Sequence, residues 1–191
     1  MELRLDRVGL LLDQLETTVE FSKARLEGLT DAEYLWEPAP GSLSIRRADE
    51  VRTFALGHGD WRLEWPRPEP DPAPMRTIAW LLGHLYDGYL ARYEWTFGAR
   101  QADPLTLGTF TPSASEAMAR LWAVLDDWKA GVAGLTEQQL DVPGYGQFPY
   151  GLDPQLPFIG IVWWTNRELI HHLAEVALLR DLYEANGRPS R

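Results

Sequence analysis

The sequence predicts an all-α protein, a four-helix bundle with long proline-rich connecting loops. Apolar residues recur at steps of three, four and seven over four long stretches, and residues that favour helix starts and stops flank them. No segment shows convincing strand alternation, although residues 42–46 and 145–150 are candidates for short extended pieces. The length of 191 residues fits a single domain that spans residues 1–191.

The first part of the chain predicts a long helix, a short helix and a long loop. The first helix spans residues 3–27, and its apolar face consists of Leu5, Val8, Leu12, Leu15, Val19 and Leu26. Gly28 can end this helix, and Thr30–Glu33 is a capping box that predicts the short helix. Residues 37–75 hold seven of the fourteen prolines, which excludes a continuous helix there. This segment is predicted to be a loop, extended near residues 66–74, that either covers a functional site or is a surface insertion.

The remainder of the sequence predicts three further long helices. Helical spacing resumes over residues 76–97, and an irregular segment follows from Gly98 to Thr111. The next helix is predicted to begin with Thr111 as its cap and Pro112 in its first position, where proline is favoured. The last helix is predicted over residues 159–186.

A short internal repeat relates the two halves of the chain. Gly134–Glu137 repeats the pattern of Gly28–Asp31, and Thr136 with Gln139 forms a second capping box. Each half therefore predicts a long helix, a short helix, an irregular loop and a second long helix. Two similar helical hairpins are the expected parts of a four-helix bundle.

Composition and charge exclude several classes of partner. The formal net charge is −10, the arginines are scattered, and the longest basic run is Arg46–Arg47, so we expect no nucleic-acid partner. The absence of cysteine excludes disulfides and thiolate ligands and fits a cytoplasmic protein. We expect no membrane partner, because no apolar run is long enough for a membrane-spanning helix. The N-terminal segment predicts an amphipathic helix and not a signal peptide.

Three residues are the candidate metal ligands: His84, Glu168 and His172. In a chain without cysteine, a metal site must use imidazole, carboxylate, amide or water ligands. His84 lies at the border of one apolar helix face, and His172 lies between two apolar residues of the last helix. Glu168 precedes His172 by four residues, which places both side chains on one helix face. Three ligands with open positions are typical of a catalytic metal site.

Other interpretations of the histidines stay open. His84 and His172 could be buried histidines that are hydrogen-bonded in the core, with Glu168 as their ion-pair partner. Asp87 could orient His84 as an outer carboxylate, or it could be a solvated helix residue. His171 is predicted to lie at the surface, with a supporting role at the metal site as the alternative. His58, in a glycine-rich loop, is predicted to be an ordinary loop residue.

The chain resembles the DinB-like (DNA-damage-inducible) superfamily over nearly its whole length. Met75–Leu85 is similar to the second helix of that family, with its His-Leu pair after an apolar start. Asn166–Glu175 resembles the last helix, with its paired histidines. Gly28–Asp31 and Trp36–Pro38 are also similar to the family pattern.

The resemblance implies a bundle with up-down-down-up helix order and a divalent metal held by three histidines. His84 and His172 match two of the ligand positions, whereas Glu168 occupies the third, where histidine is usual. This difference gives either a two-histidine, one-carboxylate site or a site that has lost its metal. Residues 98–111 are long enough to serve as the crossover between parallel helices.

The resemblance also implies a function. Some relatives are transferases or isomerases that use mycothiol, bacillithiol or glutathione, and many have no known activity. We therefore expect a homodimeric, metal-dependent enzyme acting on a small-molecule substrate, with Ni, Zn or Mn as the ion. It would be a thiol-cofactor S-transferase or isomerase, or a metal-assisted hydrolase. The alternative is a non-enzymatic small-molecule-binding or dimeric interaction module with a degenerate metal site.

Overall fold

The computed structural model describes residues 6–151 and 153–187, and within them the chain is mostly helical. The helices are α1 (Arg7–Leu26), α2 (Asp31–Tyr34), α3 (Ile78–Thr96), α4 (Ala114–Ala133), α5 (Glu137–Leu140) and α6 (Phe158–Leu182), and a π-helical segment (Tyr183–Gly187) follows α6. Both halves thus have the order of helices that the internal repeat predicts: a long helix, a short helix and a second long helix. Leu5, the first residue of the predicted apolar face, lies outside the described residues.

Side-chain caps determine where three of the long helices begin. Asp6, Thr77 and Ser113 each accept a hydrogen bond from the backbone N–H three residues further on. The predicted start of α4 at Thr111 is therefore wrong. The Thr111 hydroxyl instead donates to the Glu116 carboxylate at 2.7 Å, and the helix begins after the Ser113 cap.

The two short helices differ in how completely they are capped. Thr136 and Gln139 form the full capping box that the sequence predicts. Thr30 accepts from the backbone N–H of Glu33 at 3.2 Å, but the Glu33 carboxylate accepts from Arg180 Nε at 2.7 Å. The first box is consequently only half formed, and its glutamate ties α2 to α6.

The four long helices form a closed ring of contacts. α3 packs against α4 and α6, and α1 packs against the same two helices. Their facing sides bury a continuous apolar core that includes Val8, Leu15, Leu81, Leu85, Leu121, Leu125, Trp128, Leu169, Leu173 and Val176. Removal of this apolar surface from water is the main source of stability. None of the described helices has both the length and the apolar character that a membrane span needs.

A small antiparallel sheet corrects the all-α prediction. Its strands are β1 (Ile45–Arg47), β2 (Ala55–Leu56) and β3 (Trp61–Glu64), in the order β1-β3-β2. Leu63, on the central strand, is fully buried and lies opposite Ile45 on one side and Leu56 on the other. The predicted loop over residues 37–75 therefore contains a sheet, because backbone buried against α3 needs hydrogen-bond partners. Residues 145–150 form no strand.

The sheet fixes the aromatic side chains beside the candidate ligands. The buried Glu64 carboxylate accepts hydrogen bonds from the Ser44 backbone N–H at 3.1 Å and from Arg46 Nε at 2.9 Å. The Glu64 carbonyl accepts from the indole N–H of Trp80 at 2.7 Å. Trp65 directly follows β3 and stacks on Trp80, with 5.4 Å between ring centroids. The sheet thereby holds Trp65 against Trp80, which lies in the first turn of α3.

Candidate metal centre

His84 projects from α3 into a group of packed aromatic rings. Its ring centroid lies 5.1 Å from that of Trp80 and 5.4 Å from that of Trp65. The stacked indoles restrict rotation of the imidazole, because their own positions are fixed by β3 and by the Trp80 hydrogen bond. The ring of His172 meets the His84 ring edge to face, with centroids 4.9 Å apart.

Glu168 and His172 lie one turn apart on α6 and face His84. The Oε2 atom of Glu168 is 3.3 Å from Nε2 of His172 and 3.8 Å from Nε2 of His84. One potential ligand atom from each of the three residues lies within 4.8 Å of the other two. The structure thus brings together, from two helices, the three side chains that the sequence predicts as metal ligands.

The separations and the chemistry of this cluster fit a divalent cation. Two atoms that bind one zinc ion at roughly 2.0–2.2 Å with tetrahedral geometry lie about 3.4 Å apart. The distances from Oε2 of Glu168 to Nε2 of His172 and of His84, 3.3 and 3.8 Å, are close to this value. The side chains of His84, Glu168 and His172 are 21, 17 and 12% exposed. A small ligand can therefore reach the cluster without unfolding of the surrounding helices. Metal binding itself remains a prediction.

The protonation states of the cluster suit metal binding. Burial lowers the pKa of His84, although the Glu168 carboxylate opposes this effect. The His84 imidazole in turn lowers the pKa of Glu168 to about 2, against the effect of burial. Near neutral pH, His84 is therefore neutral and Glu168 ionised, which are the forms that coordinate a cation.

Glu175 is a member of the site that the sequence reasoning missed. Its Oε2 atom lies 2.6 Å from Nδ1 of His172. A carboxylate that accepts a hydrogen bond from Nδ1–H leaves Nε2, the nitrogen nearer Glu168, free to act as a ligand. The signal was available in the sequence, because residues three apart on a helix lie on one side.

The remaining candidate residues take other roles. His171 is 59% exposed and lies 3.6 Å from Glu175, so it reaches the cavity mouth but not the three-ligand cluster. His58 is an exposed loop residue whose Nδ1 lies 2.7 Å from the Thr106 carbonyl. Both predictions for Asp87 are wrong. Its side chain is buried and its Oδ1 atom has no hydrogen-bond partner, so it is not solvated. It does not orient His84, because that imidazole contacts Glu168 and His172 instead.

A cavity of about 430 Å³ opens onto the cluster. It lies between α3, α6 and the proline-rich segment that follows β3. The residues around it are Leu43, Trp65, Pro66, Arg67, Pro68, Glu69, Arg76, Trp80, His84, His171, His172 and Glu175. A volume of this size is typical of small-molecule sites. The proline-rich segment consequently forms a wall of the candidate site and is not an isolated surface insertion.

On the opposite side of Glu168, Arg92 ties the loop before α6 to the helices. Its guanidinium binds Asp153 through two contacts of 3.1 and 3.2 Å, and both side chains are largely buried. The same guanidinium lies 4.8 Å from the ring centroid of Phe148 and 4.5 Å from that of Trp164. This arrangement holds the loop against the α3–α6 interface.

Comparison with known proteins identifies one family. A family model described as the DinB superfamily matches residues 14–176, which include all of α2 to α5, most of α1 and α6, and the three candidate ligands. No protein of curated function and no solved structure matches the chain.

Proposed function

The chain belongs to the DinB superfamily, and from this membership and the geometry of its ligand cluster we propose that it is a divalent-metal-dependent enzyme. His84, Glu168 and His172 hold the ion, with Ni, Zn and Mn as candidates. The four long helices are proposed to form an up-down-down-up bundle within one domain. The segment between α3 and α4 would be its crossover.

The convergence of three ligand atoms at the edge of a cavity is the observation that carries this proposal. His84 and His172 each present Nε2 toward the same Glu168 oxygen. Three protein ligands leave coordination positions open for a substrate. The 430 Å³ cavity provides the space in which a substrate would meet these positions.

A divalent ion in this position would lower the pKa of a bound thiol or water and so generate a nucleophile near neutral pH. The protein's own contribution is to hold the ligands and to limit the access of bulk water. Glu175 fixes His172 by its contact with Nδ1, and Trp65 and Trp80 form the apolar wall beside His84. This chemistry supports a thiol-cofactor S-transferase or isomerase, or a metal-assisted hydrolase.

Metal titration of a tag-free protein tests the proposed site. The protein is stripped with EDTA and then titrated with Zn²⁺, Ni²⁺ or Mn²⁺ in a calorimeter. His84→Ala is expected to weaken binding by more than about 100-fold, because the loss of a direct ligand exceeds the effect of an outer partner. His58→Ala, at an exposed loop histidine, is the matched control and should bind like the parent protein. Equal binding by both variants would contradict the site.

Cobalt substitution distinguishes thiol from water as the activated group. The Co²⁺-loaded protein is titrated with glutathione, and the thiolate-to-cobalt charge-transfer absorption is recorded. A band that requires His172 supports the thiol-dependent enzyme. Its absence, with Co²⁺ still bound, would favour the hydrolase.

One observation favours a second candidate function, a non-enzymatic small-molecule-binding module. Arg167 contacts the second oxygen of Glu168, so the carboxylate already has a cationic partner, and the two imidazoles lie 3.3 and 3.8 Å from its other oxygen. A cluster with internal partners of this kind can be stable without a cation. In that case His84→Ala and His172→Ala would change the unfolding free energy, but no variant would change metal content.

We further propose that the protein is a homodimer. Large apolar side chains on the outer faces of α1 and α6 are exposed, among them Phe21 at 73%, Leu178 at 58% and Trp163 at 56%. Exposed apolar side chains on adjacent helices favour association. Light scattering should give twice the chain mass for the parent protein and the monomer mass for Trp163→Glu. A parent protein that is monomeric at micromolar concentration would contradict this assignment.

A further inference from the structure

The mouth of the cavity carries an arginine whose charge is not compensated. Arg67 is exposed and stacks over Phe54, with 4.5 Å between its guanidinium carbon and the ring centroid. Within the described part of the chain, no carboxylate forms an ion pair with it. Its neighbour Arg76 differs, because Glu69 binds that guanidinium at 2.8 Å. Arg67 is therefore available to bind an anionic group.

The wall between this arginine and the candidate ligands is flat and apolar. Trp65 and Trp80 are stacked with an angle of 11° between their planes, and His84 lies against both. Trp65 is only partly buried, so part of its ring faces the cavity. Such a surface suits a planar, apolar molecule, which would pack on the indole and point along the wall toward His84.

We propose that the cavity binds small molecules that carry a carboxylate at one end of a flat apolar body. Arg67 binds the carboxylate at the mouth, because a guanidinium can donate two parallel hydrogen bonds to its two oxygens. The body packs on Trp65, and the far end approaches His84 and His172. Only the reaction at that far end rests on the proposed function, since binding of the carboxylate requires no metal ion.

A matched pair of probes tests the assignment. Binding of 4-phenylbutyrate and of its uncharged amide, 4-phenylbutyramide, is measured by calorimetry with the EDTA-stripped protein. The acid is expected to bind about fivefold more tightly than the amide, the upper range for a partly exposed ion pair. Arg67→Gln should abolish this preference. Arg47→Gln, which changes an exposed arginine outside the cavity, should keep it.

The possible outcomes separate this inference from the metal site. Equal affinity for acid and amide, no binding of the acid at millimolar concentration, or an unchanged preference in Arg67→Gln would each overturn it. A preference for the acid over the amide that appears only after Zn²⁺ is added, and that persists in Arg67→Gln, would show that the carboxylate binds the ion. This result would also overturn the proposed role of Arg67. A failure to bind Zn²⁺ would contradict the proposed function alone, because the metal-free comparison still measures the role of Arg67.

Discussion

The buried carboxyl of Asp87 is expected to make the protein less stable as pH rises. Its Oδ1 atom lacks a hydrogen-bond partner, and burial raises its pKa from an ordinary 3.8 to about 7. Gly108 lies so close that a Cβ there would be 2.5 Å from Oδ1. The folded protein therefore holds a proton that the unfolded chain releases. The contribution of Asp87 to the unfolding free energy consequently falls as pH rises from about 4 to about 7.

Asp87→Asn removes this titration without a change in side-chain size. Each pKa unit corresponds to about 1.4 kcal/mol, so a shift of about three units gives at most about 4 kcal/mol. Relative to the parent protein, the variant should gain about this much unfolding free energy between pH 4 and pH 8. At pH 4 the carboxyl is protonated in the folded state and still roughly 40% protonated in the unfolded state, so this group contributes only a small difference there.

Urea denaturation followed by circular dichroism measures this gain. EDTA is present throughout, so that metal binding contributes nothing. Asp126→Asn, at an exposed position of α4, serves as the control. Its unfolding free energy should differ from that of the parent protein by a nearly constant amount over this pH range. A difference between the parent protein and Asp87→Asn that stays constant within about 0.5 kcal/mol over this pH range would refute the reasoning.

Three further predictions follow from the site and its supports. Glu168→His should shift metal preference from Mn²⁺ toward Ni²⁺ and Zn²⁺, because imidazole suits the latter ions and carboxylate the former; an unchanged preference in metal competition would count against Glu168 as a ligand. Glu175→Gln should weaken Zn²⁺ binding by about 10-fold through loss of the carboxylate on His172, whereas Glu20→Gln, at an exposed position of α1, should not change it. Arg92→Leu should lower the unfolding free energy by about 3 kcal/mol, because it leaves Asp153 buried without its partner; a loss below about 1 kcal/mol in urea denaturation would show that the loop is held by other contacts.

The helices were predictable because their pattern is repeated many times along the chain. α1, α3, α4 and α6 each span several turns, so the spacing of apolar residues averages over local exceptions. Helix boundaries depend on single hydrogen bonds instead. The start of α4 was predicted wrongly because Thr111 and Ser113 are both good caps, and only the structure shows that Glu116 binds the Thr111 hydroxyl.

The sheet could not be predicted from strand alternation because its strands have only two to four residues. Glu64 is charged yet buried, which breaks the pattern of apolar inward and polar outward residues on β3. Its burial depends on hydrogen bonds from Ser44 and Arg46, which are distant in sequence. Contacts of this kind leave no local periodic signal.

The candidate ligands were predictable because they are the few residues of the correct chemistry on inward helix faces. The spacing of Glu168 and His172 predicts that they share a face, but it does not indicate which residue on α3 lies opposite. His84 was chosen as the third ligand because it lies at the border of an apolar helix face, and the resemblance to a known family then supported this pairing. The roles of Trp65 and Arg67 depend on the position of the sheet and were therefore visible only in the structure.

The most direct test of the metal site is anomalous X-ray diffraction from crystals of tag-free protein incubated with Zn²⁺. We expect one peak in each chain, at about 2.0–2.2 Å from Nε2 of His84, a carboxylate oxygen of Glu168 and Nε2 of His172. The account is contradicted if these three side chains have no peak between them, including the case in which Zn²⁺ is bound only by His171 and Glu175.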